Sequence, residues 1–132
     1  MKFYYVFVGE LALGTIGAAT PDEAQYEARR KWQKSGIHQL ITRVESWTTT
    51  ITAARFTKTD KRRLLNPDGT LKDTDGTFVV HSASKLTSRH GSVGYPYSKC
   101  LEACNTMNKD YPDLVHWPGP IPGDSNTGEP NA

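Results

Sequence analysis

The stretch KFYYVFVGELALGTIGAATPDEA, residues 2–24, decides the fold, because it predicts a strand, a turn, a second strand and the start of a helix. Residues 3–8 are all apolar or aromatic, which is typical of a central strand covered on both faces. Gly9 and Glu10 fit a two-residue hairpin turn with glycine first. Residues 11–16 then supply the second strand, so the chain is predicted to begin with an antiparallel hairpin.

A helix is predicted directly after this hairpin. Thr20 can cap it, Pro21 suits its first position, and Glu23 completes a capping box. We expect the helix to reach about Ser35, because Gly36 is a natural C-terminal stop. Its inward-facing stripe consists of Ala24, Ala28 and Trp32.

The remaining chain predicts further strands and one more helix. Residues 39–56, rich in Thr, Val and Ile, predict one long bent strand or two short ones. The Asn-Pro-Asp-Gly turn at 66–69 predicts a hairpin within 62–73. Residues 78–81 predict another strand, and apolar side chains at helical spacing predict a helix from Tyr97 to about Lys109.

These elements predict an α+β domain over residues 1–111, with a mainly antiparallel sheet, a ββαβ start, a further hairpin and two helices. Residues 112–132 contain five of the eight prolines and predict a Pro/Gly-rich C-terminal arm, whose last nine residues are disordered. The apolar side chains Val115, Trp117 and Ile121 favour an arm that lies across its own domain or a neighbouring subunit. We therefore expect a homo-oligomer, in the simplest case a dimer.

Residues 2–46 resemble the small ββαβ units found in short phage and plasmid reading frames. The resemblance rests on the hairpin, on GTIGAATPDEAQYEARRKW at residues 14–32, and on the strand that follows. It implies a protein encoded by a phage or another mobile element, and it brings no functional residues with it.

Composition excludes several classes of protein. No apolar run approaches the roughly 18 residues that a membrane helix needs, and the N-terminal run has a strand pattern rather than that of a signal peptide. We therefore expect a cytoplasmic protein with no membrane partner, in the host cytoplasm if it is phage-encoded. Cys100 and Cys104 are too few for a disulfide framework and predict small apolar residues on one helix face.

The stretch HSASKLTSRHGSVGYP, residues 81–96, predicts an anion-binding loop, because it combines cationic, hydroxyl and glycine residues before a helix start. A solvated polar loop is the competing interpretation. The candidate ligand-binding residues are Ser84, Lys85, Arg89, His90, Ser92 and Tyr95.

A second basic cluster is RFTKTDKRR, residues 55–63, which leads into the turn at 66–69. A basic hairpin here would follow a phosphate backbone, and a charged sheet edge that blocks aggregation is the equal alternative. The candidate residues for nucleic-acid or partner binding are Arg55, Lys58, Lys61, Arg62 and Arg63. The sequence contains neither a helix-turn-helix pattern nor the aromatic-plus-basic signature of an RNA-recognition sheet.

Catalytic patterns are weak. Of the four histidines, His90 alone stands in a His-x-Ser/Thr motif of two-histidine phosphoesterases, and the chain has no nucleophile elbow or phosphate-binding glycine loop. We therefore predict no catalytic residues, no metal and no cofactor. The alternatives are a small phosphoesterase or nucleotide-modifying enzyme using His81 and His90, and a purely structural oligomeric protein.

The charge distribution favours an anionic partner. The segment after Tyr111 holds three acids and no Lys or Arg, which leaves +5 on the rest of a chain whose net charge is +2. We expect a small non-enzymatic protein that binds a nucleotide, a nucleic acid or an acidic host-protein surface. Inhibition of a host defence or a host enzyme is the role that the resemblance to mobile-element proteins implies.

Overall fold

The computed structural model describes residues 1–47 and 52–122, which pack as two compact units. The first unit contains residues 1–73 and 83–87, and the second contains residues 74–82 and the chain from residue 88 onward. The described residues form three α-helices and two antiparallel three-stranded sheets. The predicted α+β class is therefore confirmed. The described residues contain three α-helices, one more than the two predicted.

The sheet of the first unit is built on the predicted hairpin. β1 (Lys2–Val8) is central, between β2 (Leu11–Ala18) and β3 (Arg43–Ser46), and both pairings are antiparallel. Val8 lies opposite Leu11, and Gly9 has φ +60°, so the glycine supplies the left-handed conformation of a two-residue turn.

α1 (Pro21–Lys31) covers one face of this sheet. The Thr20 hydroxyl accepts a hydrogen bond from the Glu23 amide at 3.1 Å, and the Glu23 carboxylate accepts one from the Ala19 amide at 2.7 Å. Ala24 and Ala28 are fully buried, and these small side chains let the helix pack closely on Tyr4 and Val6 of β1. The core of the first unit lies at this helix–sheet contact.

The helix is shorter than predicted. It ends at Lys31, and at the following Trp32 the Ser35 hydroxyl and the His38 amide donate to the Trp32 carbonyl at 3.1 and 3.2 Å. Gly36, with φ +81°, precedes a 3₁₀ helix at Ile37–Leu40 instead of following α1 directly.

Only one face of β1 is covered by α1. Tyr4 and Val6 point into the core, whereas Phe3 on the opposite face is 52% exposed and Tyr5 is half-buried. The expected coverage of both faces therefore fails for Phe3 and Tyr5. Aromatic residues on both faces conceal the period of two in the sequence.

The predicted strand material of residues 39–56 is divided. β3 is confined to Arg43–Ser46, and part of the predicted strand, residues 48–51, lies outside the described residues. Farther along, the backbone runs beside β2: the Ala12 amide donates to the Ala54 carbonyl at 2.8 Å, and the Phe56 amide donates to the Ala12 carbonyl at 3.0 Å.

The second unit has its own sheet. β4 (Phe78–Ala83) is central, between β5 (Ser88–His90) and β6 (Val115–Pro120), and α3 (Tyr97–Asp110) packs against β6. The predicted helix from Tyr97 is thus confirmed. The turn 83–87 that joins β4 to β5 is grouped with the first unit.

The segment predicted as a C-terminal arm contains an edge strand. Val115 is fully buried in β6 and Trp117 is 5% exposed, so the apolar residues of this segment complete a core within the chain itself. The Asn108 side chain holds the strand to α3: it accepts from the His116 amide at 2.7 Å and donates to the His116 carbonyl at 3.1 Å. Ile121 is 36% exposed, and the nine residues predicted to be disordered lie outside the described residues.

No helix among the described residues has the length and apolar character needed to cross a bilayer.

Candidate anion-binding groove

The basic cluster at residues 55–63 forms a helix rather than a hairpin or sheet edge. α2 (Lys58–Leu64) begins at Thr57, whose hydroxyl accepts from the Asp60 amide at 3.2 Å. In return the Asp60 carboxylate accepts from the Thr57 amide at 2.8 Å. This reciprocal cap is a capping box with Asp in place of the more familiar Glu or Gln, so the usual sequence pattern does not reveal it.

After α2 the chain folds back on itself. The predicted turn at 66–69 is confirmed: the Asn66 amide donates to the Thr70 carbonyl at 2.8 Å, and Gly69 has φ +86°. The Lys72 amide then donates to the Leu64 carbonyl at 3.0 Å. This return places Lys72 beside the C-terminal end of α2.

The turn is held against the rest of the first unit by a backbone contact. A β-carbon at Gly36 would lie 2.2 Å from the carbonyl oxygen of Gly69, so that position admits only glycine. The Gln39 side-chain amide donates to the same Gly69 carbonyl at 2.8 Å. α2 and its returning turn are thereby held in place beside the 3₁₀ helix.

Between α2 and the returning turn lies an open groove of about 580 Å³. The groove is lined by Lys58, Lys61, Arg62, Leu65, Asn66, Pro67 and Lys72. The first three cations stand at i, i+3 and i+4, which places them on one face of the helix. Leu65 is buried at the base of the groove, and the exposed Pro67 supplies apolar surface beside the four cationic side chains.

No carboxylate from the part of the chain that the structure describes lines this groove. Within residues 1–47 and 52–122, none of its four cations forms an ion pair, whereas Arg63 outside the groove pairs with Asp60 at 3.3 Å. Hydrogen bonds from Thr57 lower the pKa of Asp60, which keeps that carboxylate ionised in its cap. Like charges gathered without counter-ions favour an anionic ligand.

The two units also differ in net charge, and the unit that contains the groove is the positive one. The first unit contains 13 Lys and Arg against 8 Asp and Glu, a net +5. The second contains 3 against 6, a net −3. The groove therefore belongs to the basic part of the protein.

Comparisons with known proteins assign the chain to no family. No protein-family model, curated protein or solved structure matches it. The function of the groove has to be inferred from its own geometry and charge.

Only three of the five predicted partner-binding residues line the groove. Lys58, Lys61 and Arg62 line the groove, and Arg63 faces Asp60. Arg55 is exposed in the segment beside β2. Lys72 was missed because its position depends on the fold-back of the chain, which only the turn at 66–69 signals.

The six predicted ligand-binding residues of the 81–96 loop are divided between the two units. In the first unit, the Ser84 hydroxyl accepts from the Leu86 and Thr87 amides at 3.2 Å each, so it closes the turn, and Lys85 is exposed. This use of the hydroxyl matches the polar-turn interpretation.

The other four loop residues belong to the second unit. Arg89, His90 and Ser92 are exposed on or after β5. The Tyr95 backbone pairs with that of Phe78 through two hydrogen bonds of 2.8 Å, and its ring lines a shallow surface groove that also contains Glu102. Much of the predicted loop is therefore β-hairpin backbone.

His81 and His90, the pair of the enzymatic alternative, have ring centroids 5.9 Å apart. His81 stacks on Trp117 at 5.5 Å, and its Nε2 lies 2.9 Å from the Pro120 carbonyl oxygen. A β-carbon at Gly119 would lie 2.7 Å from the His81 ring. His81 is therefore packed as part of the β4–β6 contact.

The described residues form neither a metal site nor a reactive thiol site. No group of three or more His, Cys, Asp and Glu side chains is placed to hold a metal ion there. Cys100 and Cys104 are buried and reduced, and burial raises the pKa of both thiols, which disfavours the reactive thiolate.

Proposed function

We propose that this protein is a non-enzymatic nucleic-acid-binding protein that holds the phosphate backbone in the groove between α2 and the turn at 66–69. One observation carries the proposal: four cations line a single groove in which the described residues place no carboxylate. Binding of phosphates there would relieve the mutual repulsion of the cations and release counter-ions.

The arrangement of the cations suits a polymer better than a single small anion. Lys58 and Arg62 are four residues apart on α2, or about 6 Å along the helix axis, so they can contact neighbouring phosphates of one strand. Arg62 offers a planar fork for phosphate oxygens, and the lysines offer flexible point charges. The exposed Pro67 adds apolar surface for the sugar edges.

Neutralisation of the groove tests the proposal. The variant combines Lys58→Gln, Lys61→Gln, Arg62→Gln and Lys72→Gln. The control removes four exposed cations elsewhere, by Lys34→Gln, Lys85→Gln, Lys99→Gln and Lys109→Gln. Both variants change the net charge equally, so a difference between them reports the groove rather than the charge of the whole protein.

Binding of fluorescent DNA and RNA oligonucleotides is measured by anisotropy over a range of NaCl concentrations. We expect the groove variant to reduce the slope of log K against log salt by about 0.7–0.9 for each phosphate that it no longer neutralises. The control should keep both slope and affinity. Equal reductions in the two variants would overturn the groove, and the absence of binding by the wild type would overturn a nucleic-acid partner in favour of an acidic host-protein surface.

A further inference from the structure

The face of the first unit's sheet that lies opposite α1 is aromatic, and it is exposed toward its Phe3 end, whereas Phe7 at the other end is 2% exposed. The alternation of β1 directs Phe3, Tyr5 and Phe7 to this face, since Tyr4 and Val6 point toward α1. Phe3 is 52% exposed and Tyr5 is half-buried. Trp47, which follows β3, is also 52% exposed.

Ring contacts assemble these side chains into one cluster. The Trp47 ring lies 5.6 Å from that of Phe3 and 5.4 Å from that of Tyr5, and the Trp47 amide donates to the Phe3 carbonyl at 2.9 Å. On the other side of β1, the residues opposite Phe3 and Tyr5 are Gly17 and Thr15. Gly17 has no side chain, and the exposed Met1 side chain lies in the space that a β-carbon of Gly17 would occupy, next to the Phe3 ring.

Positive charge borders the cluster. Lys2 lines an open groove of about 540 Å³ together with Phe3, Ser46 and Trp47. On the same face, the Arg43 guanidinium lies 4.2 Å from the centre of the Phe7 ring and pairs with Glu45. The carboxylate that lies opposite Tyr5 is thus neutralised by Arg43.

We propose that this aromatic face, formed by Phe3, Tyr5 and Trp47 with Lys2 at its edge, stacks the unpaired bases of single-stranded nucleic acid. The inference rests on the proposed function, because the basic groove would hold the phosphates. Exposed rings accept base faces regardless of sequence, and the net +5 charge of the first unit attracts the backbone that carries those bases.

A duplex is a poorer ligand for such a face, because its bases are already stacked on one another. Only unpaired bases expose the faces that aromatic side chains need. We therefore expect a preference for single strands that the basic groove does not by itself supply.

The test compares Trp47→Ala with Tyr111→Ala, which removes an aromatic ring that is 60% exposed in the second unit. The probes are an oligothymidylate of about 20 nucleotides and a DNA duplex of the same length, at about 0.1 M NaCl. We expect Trp47→Ala to weaken binding of the single strand on the order of tenfold, with duplex binding and the salt slope unchanged. Trp47→Phe should recover much of the affinity, and Tyr111→Ala should behave as the wild type.

The outcomes separate this inference from the proposed function. Single-strand binding that depends on the groove but not on Trp47 would overturn the stacking face and leave the groove intact. Equal weakening of single strand and duplex would also overturn it. A change in mass by light scattering in Trp47→Ala would identify the face as a contact between two copies of the chain, which contradicts the inference.

Discussion

Arg29 and His38 form a buried polar pair in the first unit. The Arg29 guanidinium donates to the His38 carbonyl and, at 3.3 Å, to the Gln25 side chain. Burial lowers the pKa of Arg29 to about 9, so the side chain remains charged at neutral pH. Burial, and then the charge of Arg29, lower the pKa of His38 to about 4.

This pair predicts a loss of stability in mild acid. An unfolded histidine titrates near pH 6.5, whereas His38 in the folded protein stays neutral down to about pH 4. Between these values the unfolded state binds a proton that the folded state does not, so stability is complete above pH 6.5 and falls as the pH decreases toward 4. The cost at pH 4.5 is about 2–3 kcal/mol.

Urea unfolding at pH 7.5 and pH 4.5 measures this effect. Replacement of His38 by Gln should remove most of the difference between the two pH values, whereas His90→Gln, at an exposed position, should preserve it. If the His38 variant lost as much stability in acid as the wild type, the buried pair would not be its source.

α2 depends on its cap because it is only seven residues long. A helix this short gains little from its own hydrogen bonds, and its packing is limited, since none of its residues is fully buried. The Thr57–Asp60 cap and the returning turn therefore supply much of what holds the groove cations in place.

Removal of the cap should weaken both the helix and binding. We expect Thr57→Ala to cost about 1 kcal/mol of unfolding free energy and to reduce affinity for nucleic acid, with no change in net charge. Thr59→Ala, at an exposed position within the same helix, is the control and should do neither. Chemical denaturation and anisotropy measure the two effects. Unchanged affinity in a protein destabilised by Thr57→Ala would show that binding does not need an ordered α2.

Elements with local signals were predictable. β1, β2, the start of α1 and the span of α3 follow from the hairpin turn, the Thr20 cap and the helical spacing. β6 was not recognised because its composition, with Pro118 and Pro120, resembles a linker. Proline is tolerated there because β6 is an edge strand, where a missing amide hydrogen need not break the sheet.

The candidate site was only partly predictable, because part of it depends on contacts between residues that are distant in the sequence. Three of its four cations stood in one sequence cluster, but the sequence did not reveal that they share a helix face. Lys72 joins them through the tertiary fold-back of the chain. The aromatic face was missed because Phe3 and Tyr5 alternate with other apolar residues and Trp47 follows a strand that is distant in the sequence.

The first unit has a net positive charge and the second a net negative charge. The basic first unit carries both proposed binding surfaces, and the acidic second unit buries Trp117 within the chain. The sequence predicts an oligomer chiefly because Trp117 and its apolar neighbours need cover from their own domain or from a neighbouring subunit, and Trp117 is covered within its own chain. The homo-oligomer stays a prediction, now without that driving force.

The groove and the 81–96 loop are the two anion sites that the sequence offered, and one titration distinguishes them. Backbone amide chemical shifts are followed by NMR as an oligothymidylate of about 20 nucleotides is added to the full chain at low salt. We expect large changes at residues 58–72, beside those that base stacking would cause around Phe3, Tyr5 and Trp47, with a decrease in affinity as salt is raised. Changes concentrated at residues 84–95, with residues 58–72 unaffected, would contradict binding in the groove.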